Sequence, residues 1–390
     1  MTIKIAHIAD THLGYRQYGL LEREEDYYEA FENIIEDIIK KEVDYVLHAG
    51  DLFETPRPPI KAILCAQKGF EKLMKHGIPV YVIAGNHDIL QRQNTTLPQE
   101  LFENENFHII STKNNHYILE ESIFLGGLPY LSKNMENRIH EKLLEITEIS
   151  KEYKWKILML HGSLQKYFQI EPEFELNTIP DGYDYYAMGH LHNRIMDTFK
   201  NGQLSYPGST EIRTKAELED YLKTGKGYTL ITIDDTKITP EFINLELKRG
   251  FFNEIINYPN LDVELEELKN KIEKSNADGF KKPIVNLTIR YGDFDRSEVD
   301  EKIKNELGEI TLTLRMKFEP TQNDDELINN IEENNLTPEH VIKEKLETDY
   351  GEEIATLGLE LYKQLSIKDL NNAKEVADIY YNKLFHKEEN

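Results

Sequence analysis

Five short clusters in the chain carry the residue types that bind metal ions and move protons. They are Asp10-Thr-His12, Gly50-Asp51, Gly85-Asn-His-Asp88, His161-Gly162 and Gly189-His-Leu-His192. Each follows an apolar stretch that reads as a strand. Ligands of α/β sheets gather outside the carboxyl ends of the strands. One such cluster alone reads best as a polar loop cap. Five strand ends delivering Asp, Asn or His in order point to one composite site. The donors are carboxylate and amide oxygens and imidazole nitrogens, without sulfur, which suits Mn²⁺, Fe²⁺ or Zn²⁺. A carboxylate bridging two ions holds them ~3.5–4 Å apart, the spacing used for displacement at phosphorus, where the ions activate water and clamp attacking and leaving oxygens.

The elements that must position these clusters follow from hydrophobic periodicity. Residues 3–8, 44–48, 79–84 and 156–160 are mostly apolar and read as buried central strands. Between the first two, Glu24–Lys40 places Tyr27, Phe31, Ile34, Ile35 and Ile38 at helical spacing, and residues 60–76 repeat that pattern. This alternation predicts an α/β layer architecture. From Phe107 the strands come faster (108–111, 116–120, 122–126, 228–233), which predicts a mixed or second sheet packed on the first. Residues 251–320 read as a separate small α/β module, with helices at 262–275 and 297–307 and strands at 284–290 and 310–318. A polar, acidic linker follows at 321–336. Residues 337–390 read as two amphipathic helices, starting at Thr337-Pro338 and at Ser366-Ile-Lys-Asp369.

The whole chain has 390 residues, enough for two or three domains. No apolar run approaches the ~18 residues of a spanning helix, and the first ten residues read as a core strand rather than an export signal. A single cysteine, Cys65, rules out an internal disulfide framework and a thiolate zinc cage. The expected compartment is cytoplasmic. The net charge of −25 argues against broad coating of nucleic acid but not against a local basic surface. Much of the acidity is local, since residues 324–353 hold eleven carboxylates and two lysines.

D-x-H, G-D, G-N-H-D, H-G and G-H-x-H, in this order over residues 10–192, resemble the calcineurin-like metallophosphoesterase superfamily. The resemblance implies a four-layer core of two mixed β-sheets flanked by helices. Carried over residue by residue, it implies that Asp10, His12 and His192 hold one ion and Asn86, His161 and His190 the other, with Asp51 between them. His87 would protonate the leaving oxygen or stabilise transition-state charge, a role that suits imidazole. Asp10-Thr-His-Leu-Gly-Tyr15, Gly50-Asp-Leu-Phe53 with Pro56-Arg-Pro58, and Tyr206-Pro-Gly-Ser209 narrow the resemblance. They are similar to the DNA double-strand-break repair nucleases of the meiotic-recombination-eleven and SbcD family. One position departs from that pattern: many members carry a second histidine after G-D-L-F, where this chain has Glu54.

That family resemblance implies a Mn²⁺-dependent DNA exonuclease and endonuclease with two Mn²⁺ ions per chain. It implies a nuclease domain at 1–250, a capping domain at 251–320, an acidic linker at 321–336, and a helical motif at 337–390 that binds a Rad-fifty-type ATPase. It also implies a homodimer, for which Leu64, Phe70, Leu73, Met74, Leu97, Leu101 and Phe102 could supply an apolar face. Tyr15, Arg16, Arg57, Arg92, Asn94, Arg194 and Arg213 lie near the motif ends, where Arg and Tyr can contact phosphates and stack on bases. The alternative activity on the same fold is that of a phosphatase. Protein phosphatases of the superfamily read G-D-x-x-D-R-G and G-N-H-E, against Gly50-Asp-Leu-Phe-Glu54 and Gly85-Asn-His-Asp88 here. A third possibility, a scaffold with a vestigial site, conflicts with the full donor set. His7 and His48 sit inside apolar strands and read as core histidines, although His48 could also orient a ligand from behind.

Overall fold

The structure is a computed structural model describing residues 2–89, 96–169, 172–292 and 294–319, and beyond them 343, 346–347, 352–366, 372–374, 376–377 and 380. It divides into two compact units. The first comprises residues 1–253, 272–285 and 310–313, and the second residues 254–271, 286–309 and 314–390.

The first unit is built on two six-stranded sheets. Sheet one contains β1 (Ile3–Ile8), β2 (Tyr45–Ala49), β3 (Val80–Ile83) and β4 (Phe107–Ile109), all parallel, followed in space by β11 (Lys226–Ile233) and β12 (Ile238–Leu245). Its order is β12-β11-β1-β2-β3-β4, with β11 antiparallel to both β1 and β12. Pro240 lies in β12, at the sheet edge, where the missing N–H does least harm. Sheet two contains β5 (His116–Leu119), β6 (Ile123–Gly127), β7 (Trp155–His161), β8 (Tyr185–Gly189), β9 (Ile195–Phe199) and β10 (Gly202–Tyr206), in the order β5-β6-β7-β8-β10-β9.

Three apolar clusters make this a four-layer stack. Ile5, Leu47 and Ile83 of sheet one meet Leu125, Met159 and Tyr185 of sheet two in a fully buried seam. On the outer face of sheet one pack α1 (Leu21–Lys40) and α2 (Ile60–Lys75), through Phe31, Ile35, Phe70 and Leu73. The first helix begins three residues before the sequence expectation. Gly69 of α2 lets the Phe31 ring of α1 come close, since a Cβ there would collide with it. Truncating Phe31 to alanine would cost about 3–5 kcal/mol by the usual transfer and cavity terms. Against sheet two packs α3 (Glu136–Ser150), through Ile139, Leu143 and Ile146. The expected two-sheet, helix-flanked core is therefore observed.

A third sheet has the order β13 (Arg249–Asn257), β14 (Lys281–Arg290), β15 (Thr313–Glu319). Within the second unit Leu265 and Leu268 of α5 (Leu261–Ala277) and Val299, Ile303 and Leu307 of α6 (Arg296–Leu307) are buried. Asp295 caps α6 by accepting from the N–H groups of Ser297 and Glu298. A further helix, α7 (Glu352–Ser366), carries Ile354, Leu357 and Leu361 of the expected apolar stripe. The linker at 321–336, the expected start at Thr337-Pro338, and Ile367, Leu370, Tyr381 and Leu384 lie outside the described residues.

Candidate metal centre

The chain reaches the site through unusual backbone. Asp10, His12, Asp51 and His190 all lie at positive φ (53°, 44°, 54° and 97°), a region costly for residues with a Cβ. Surrounding contacts hold them there. The loops after β1 and β2 are laced together, as the N–H groups of Asp10, His12 and Leu13 donate to the carbonyls of Gly50, Asp51 and Leu52 at 2.9–3.0 Å. Buried Asp88 ties the third loop in, accepting from the N–H groups of Gly85 (2.9 Å), Phe53 (3.0 Å) and Leu52 (3.3 Å). Two motif glycines have a steric reason. A Cβ on Gly50 would run into the His161 ring, and one on Gly85 into the Asp51 carboxylate.

This backbone brings all seven expected donors together. Asp10, His12 and His192 form one group whose ligand atoms lie within 4.8 Å of one another, and Asp51, His161 and His190 form another. The Nε2 atoms of His12 and His192 face each other at 3.1 Å. Asn86 Oδ1 lies 3.1 Å from His161 Nε2 and 3.0 Å from His190 Nδ1. The Asp51 carboxylate stands between the groups, 3.3 Å from His161 Nε2 and 3.8 Å from His12 Nε2. Acceptors behind the rings fix the tautomers. His161 Nδ1 donates to the Ala49 carbonyl at 2.7 Å, and His192 Nδ1 to Glu217 at 3.1 Å, which leaves each Nε2 for the centre. His87 Nδ1 donates to the Glu54 carbonyl at 2.9 Å, while the His87 N–H donates to Asp51 at 2.8 Å.

The electrostatics call for a cation. Burial drives the Asp10 carboxyl up to about 6, against the pull of His161 and His192. Burial would push His161 down, yet Asp51 and Asp10 outweigh it and raise the ring to about 9. His190 is pushed down to about 4 by burial and by His161. Two buried carboxylates, Asp10 and Asp51, are thus gathered around the His161 ring. Divalent ions would balance the carboxylate charge and take up the lone pairs that His12 and His192 turn towards each other. The donor set fits such ions.

The other sequence expectations fare unevenly. Arg213 comes to the centre: its guanidinium lies 2.9 Å from His12 Nε2, pairs with Glu54 at 3.0 Å and stacks 4.5 Å above the Tyr15 ring. Arg57 is exposed, and Arg16 is half exposed and paired with Glu24. Arg194 must be corrected. It is 5% exposed and four of its five guanidinium N–H groups donate to Pro207, Thr224, Ile243 and Asn244, so it braces the interior rather than facing a phosphate. Arg92 and Asn94 lie outside the described residues. Phe70, Leu73 and Phe102 are core residues, so only Leu64 and Leu101 of the expected apolar face are prominently exposed. His48 is a buried residue bonded to the Thr11 hydroxyl at 3.0 Å, and burial pushes it down to about 3; His7, likewise pushed down, meets the Tyr185 hydroxyl.

Sequence reading missed Glu54 as a participant, although it forms a third cluster with His12 and His87. It also missed Asp88 as a brace, as well as Glu173 and Glu217. Glu173 lies 3.6 Å from His190 Nε2 and is itself held by the Ser163 N–H at 2.9 Å. A carboxylate or hydroxyl donor close behind the motifs was the available signal, but nothing in the spacing singled these residues out.

A model of the calcineurin-like phosphoesterase family matches residues 3–194, the span that contains every donor. The DNA double-strand break repair protein Mre11 of Methanocaldococcus jannaschii is 36% identical over 399 residues, covering 97% of this chain and 98% of the relative. The chain belongs to the Mre11 family. The Mre11 protein of Methanococcus maripaludis is also 36% identical, over 78% of this chain and 86% of its own length. That of Sulfolobus acidocaldarius is 34% identical over 74% and 75%. The family's phosphoesterase core implies a dimetal centre, and the clusters described above are placed to hold it.

Proposed function

We propose that this Mre11 family member is a dimetal DNA nuclease acting in double-strand-break repair with a Rad-fifty-type ATPase, and that its ions are Mn²⁺. The observation that carries the reading is the Asp51 carboxylate standing between two donor groups drawn from five strand ends. Two ions bound there would polarise a phosphodiester and activate water. Asp10, His12 and His192 would hold one ion and Asn86, His161 and His190 the other, with Asp51 as the carboxylate placed to serve both. His87 moves the proton to the leaving oxygen. Its Nδ1 is committed to the Glu54 carbonyl, so Nε2 is the exchanging atom. Arg213, stacked on Tyr15, and exposed Arg57 meet the DNA backbone.

Residues 1–250 act as the nuclease, 251–320 as the capping domain, and 337–390 bind the ATPase beyond a linker at 321–336. Two such chains pair through the groove of about 310 Å³ between α2 and residues 101–104, beside exposed Leu64 and Leu101. The deciding assay is nucleotide release from DNA with Mn²⁺, run beside a generic phosphomonoester. DNA cleavage should depend on the ion and vanish on chelation. Undiminished cleavage after thorough metal removal would sink the two-metal reading, and preference for the phosphomonoester would favour a phosphatase.

A further inference from the structure

Behind the His192 ring lies a buried charge pair that the chemistry above does not use. Glu217 and Lys226 are 4% and 1% exposed, in an interior that seldom tolerates either. One Glu217 oxygen accepts the His192 Nδ1–H at 3.1 Å. The other accepts from the Ser209 hydroxyl at 3.0 Å, the Arg213 N–H at 3.2 Å and Lys226 Nζ at 3.2 Å. Lys226 also donates to the His192 carbonyl at 3.0 Å and to Ser209 Oγ at 2.6 Å. The lysine thus grips the ligand's backbone and, through the carboxylate, its ring.

A plainer reading exists. Thr214 caps α4 (Lys215–Thr224), and Glu217 stands three residues on, as in a capping box. In a capping box, however, the glutamate returns to the N-cap N–H. Here it bonds the N–H of Arg213, one residue earlier, and turns its second oxygen to His192. In the same half, His12 Nδ1 also has a carboxylate beside it, Glu54 Oε2 at 3.0 Å, but the imidazoles of the other half differ. His161 rests on a neutral carbonyl, and His190 faces Glu173 only at 3.6 Å. A carboxylate behind an imidazole fixes its tautomer and strengthens it as a donor, and losing such a partner typically costs 10–100-fold in metal affinity.

We propose that Glu217, Lys226 and Ser209 are positioning residues that set ion affinity selectively at the Asp10/His12/His192 half of the centre. This also gives Tyr206-Pro-Gly-Ser209 a purpose at both halves, because the Tyr206 hydroxyl donates to the Gly162 carbonyl at 3.0 Å beside His161. The proposal rests on the dimetal reading.

The test is titration of the full chain with Mn²⁺ alone, read by calorimetry and by electron paramagnetic resonance. The key variant is the charge-neutral double substitution Glu217→Gln/Lys226→Met, beside wild type and Ser209→Ala. Wild type should bind two ions as an exchange-coupled pair. The double variant should lose about 10–100-fold at one site and keep the other, showing an isolated-ion signal where wild type shows the pair. Ser209→Ala should weaken the same site by less. Unchanged affinities in the folded double variant, or equal weakening of both sites, would overturn the proposal. If circular dichroism shows the double variant unfolded, Ser209→Ala decides, and no selective weakening there also overturns it. A wild type that binds fewer than two ions would instead overturn the dimetal reading.

Discussion

Single atoms decide the strongest expectations at the residue scale. His87→Ser should leave ion binding largely intact and reduce DNA cleavage by roughly 10²–10⁴-fold, the usual worth of general acid–base help. Single-turnover rates with Mn²⁺ check this, and a near-wild-type rate would remove His87 from the chemistry. Gly85→Ala should behave in the opposite way, because its Cβ is driven into the Asp51 carboxylate. Ion binding should fall first and cleavage with it, as a metal titration would read directly. The convergence of the seven proposed donors was legible in the sequence because aspartate, asparagine and histidine follow apolar runs with glycine beside them. Their supports were not. Glu217 lies 25 residues from His192 and looks like a helix cap, and the Ala49 carbonyl carries no side-chain signal at all.

Among elements, α1 is anchored by charge as well as by its apolar face. Buried Asp26 pairs with Arg23 at 2.6 Å, Arg249 at 2.5 Å and Lys281 at 2.9 Å. Burial alone would raise its carboxyl, but Arg249, Arg23 and Lys281 outweigh that and hold it below the ordinary aspartate range. Its contribution to stability is therefore fully present above the unfolded value near 3.9 and is lost as pH falls through the lower folded value. Asp26→Asn leaves Arg249 and Arg23 short of counter-charge in the interior. It should destabilise by about 3–5 kcal/mol near neutral pH, with the deficit shrinking below pH 4 in denaturant titrations. The long apolar strands and α2 were legible from periodicity. By contrast, β8, β9 and β10 are no shorter than β2 and β3, but Tyr185, Tyr186, Asp197, Gln203 and Ser205 interrupt their apolar runs. The helix start expected at Ser366-Ile-Lys-Asp369 runs into residues 367–371, outside the described residues, while α7 occupies Glu352–Ser366 before it.

Truncation gives the clearest test of organisation at the scale of the whole molecule. A chain ending at Pro320 should still cleave single-stranded DNA with Mn²⁺, since every proposed donor precedes residue 193. It should fail to co-purify with the ATPase; partner binding at full affinity would move the contact off residues 337–390. Sedimentation of the intact chain at micromolar concentration should give a dimer, and Leu64→Glu/Leu101→Glu should give a monomer. The four-layer core was legible as strand–helix alternation, whereas the division into units was not, because residues 272–285 and 310–313 belong to the first unit although they read as part of the small module. The route by which the donors are assembled has a bearing on biosynthesis. One proposed ion would be shared between β1 and β8, the other between β3 and β7–β8, so neither half of the centre exists in a chain that has made only one sheet. A ribosome-bound nascent chain would stay chemically silent until both sheets had closed on each other, which keeps a DNA-cutting activity from arising in fragments or misfolded intermediates.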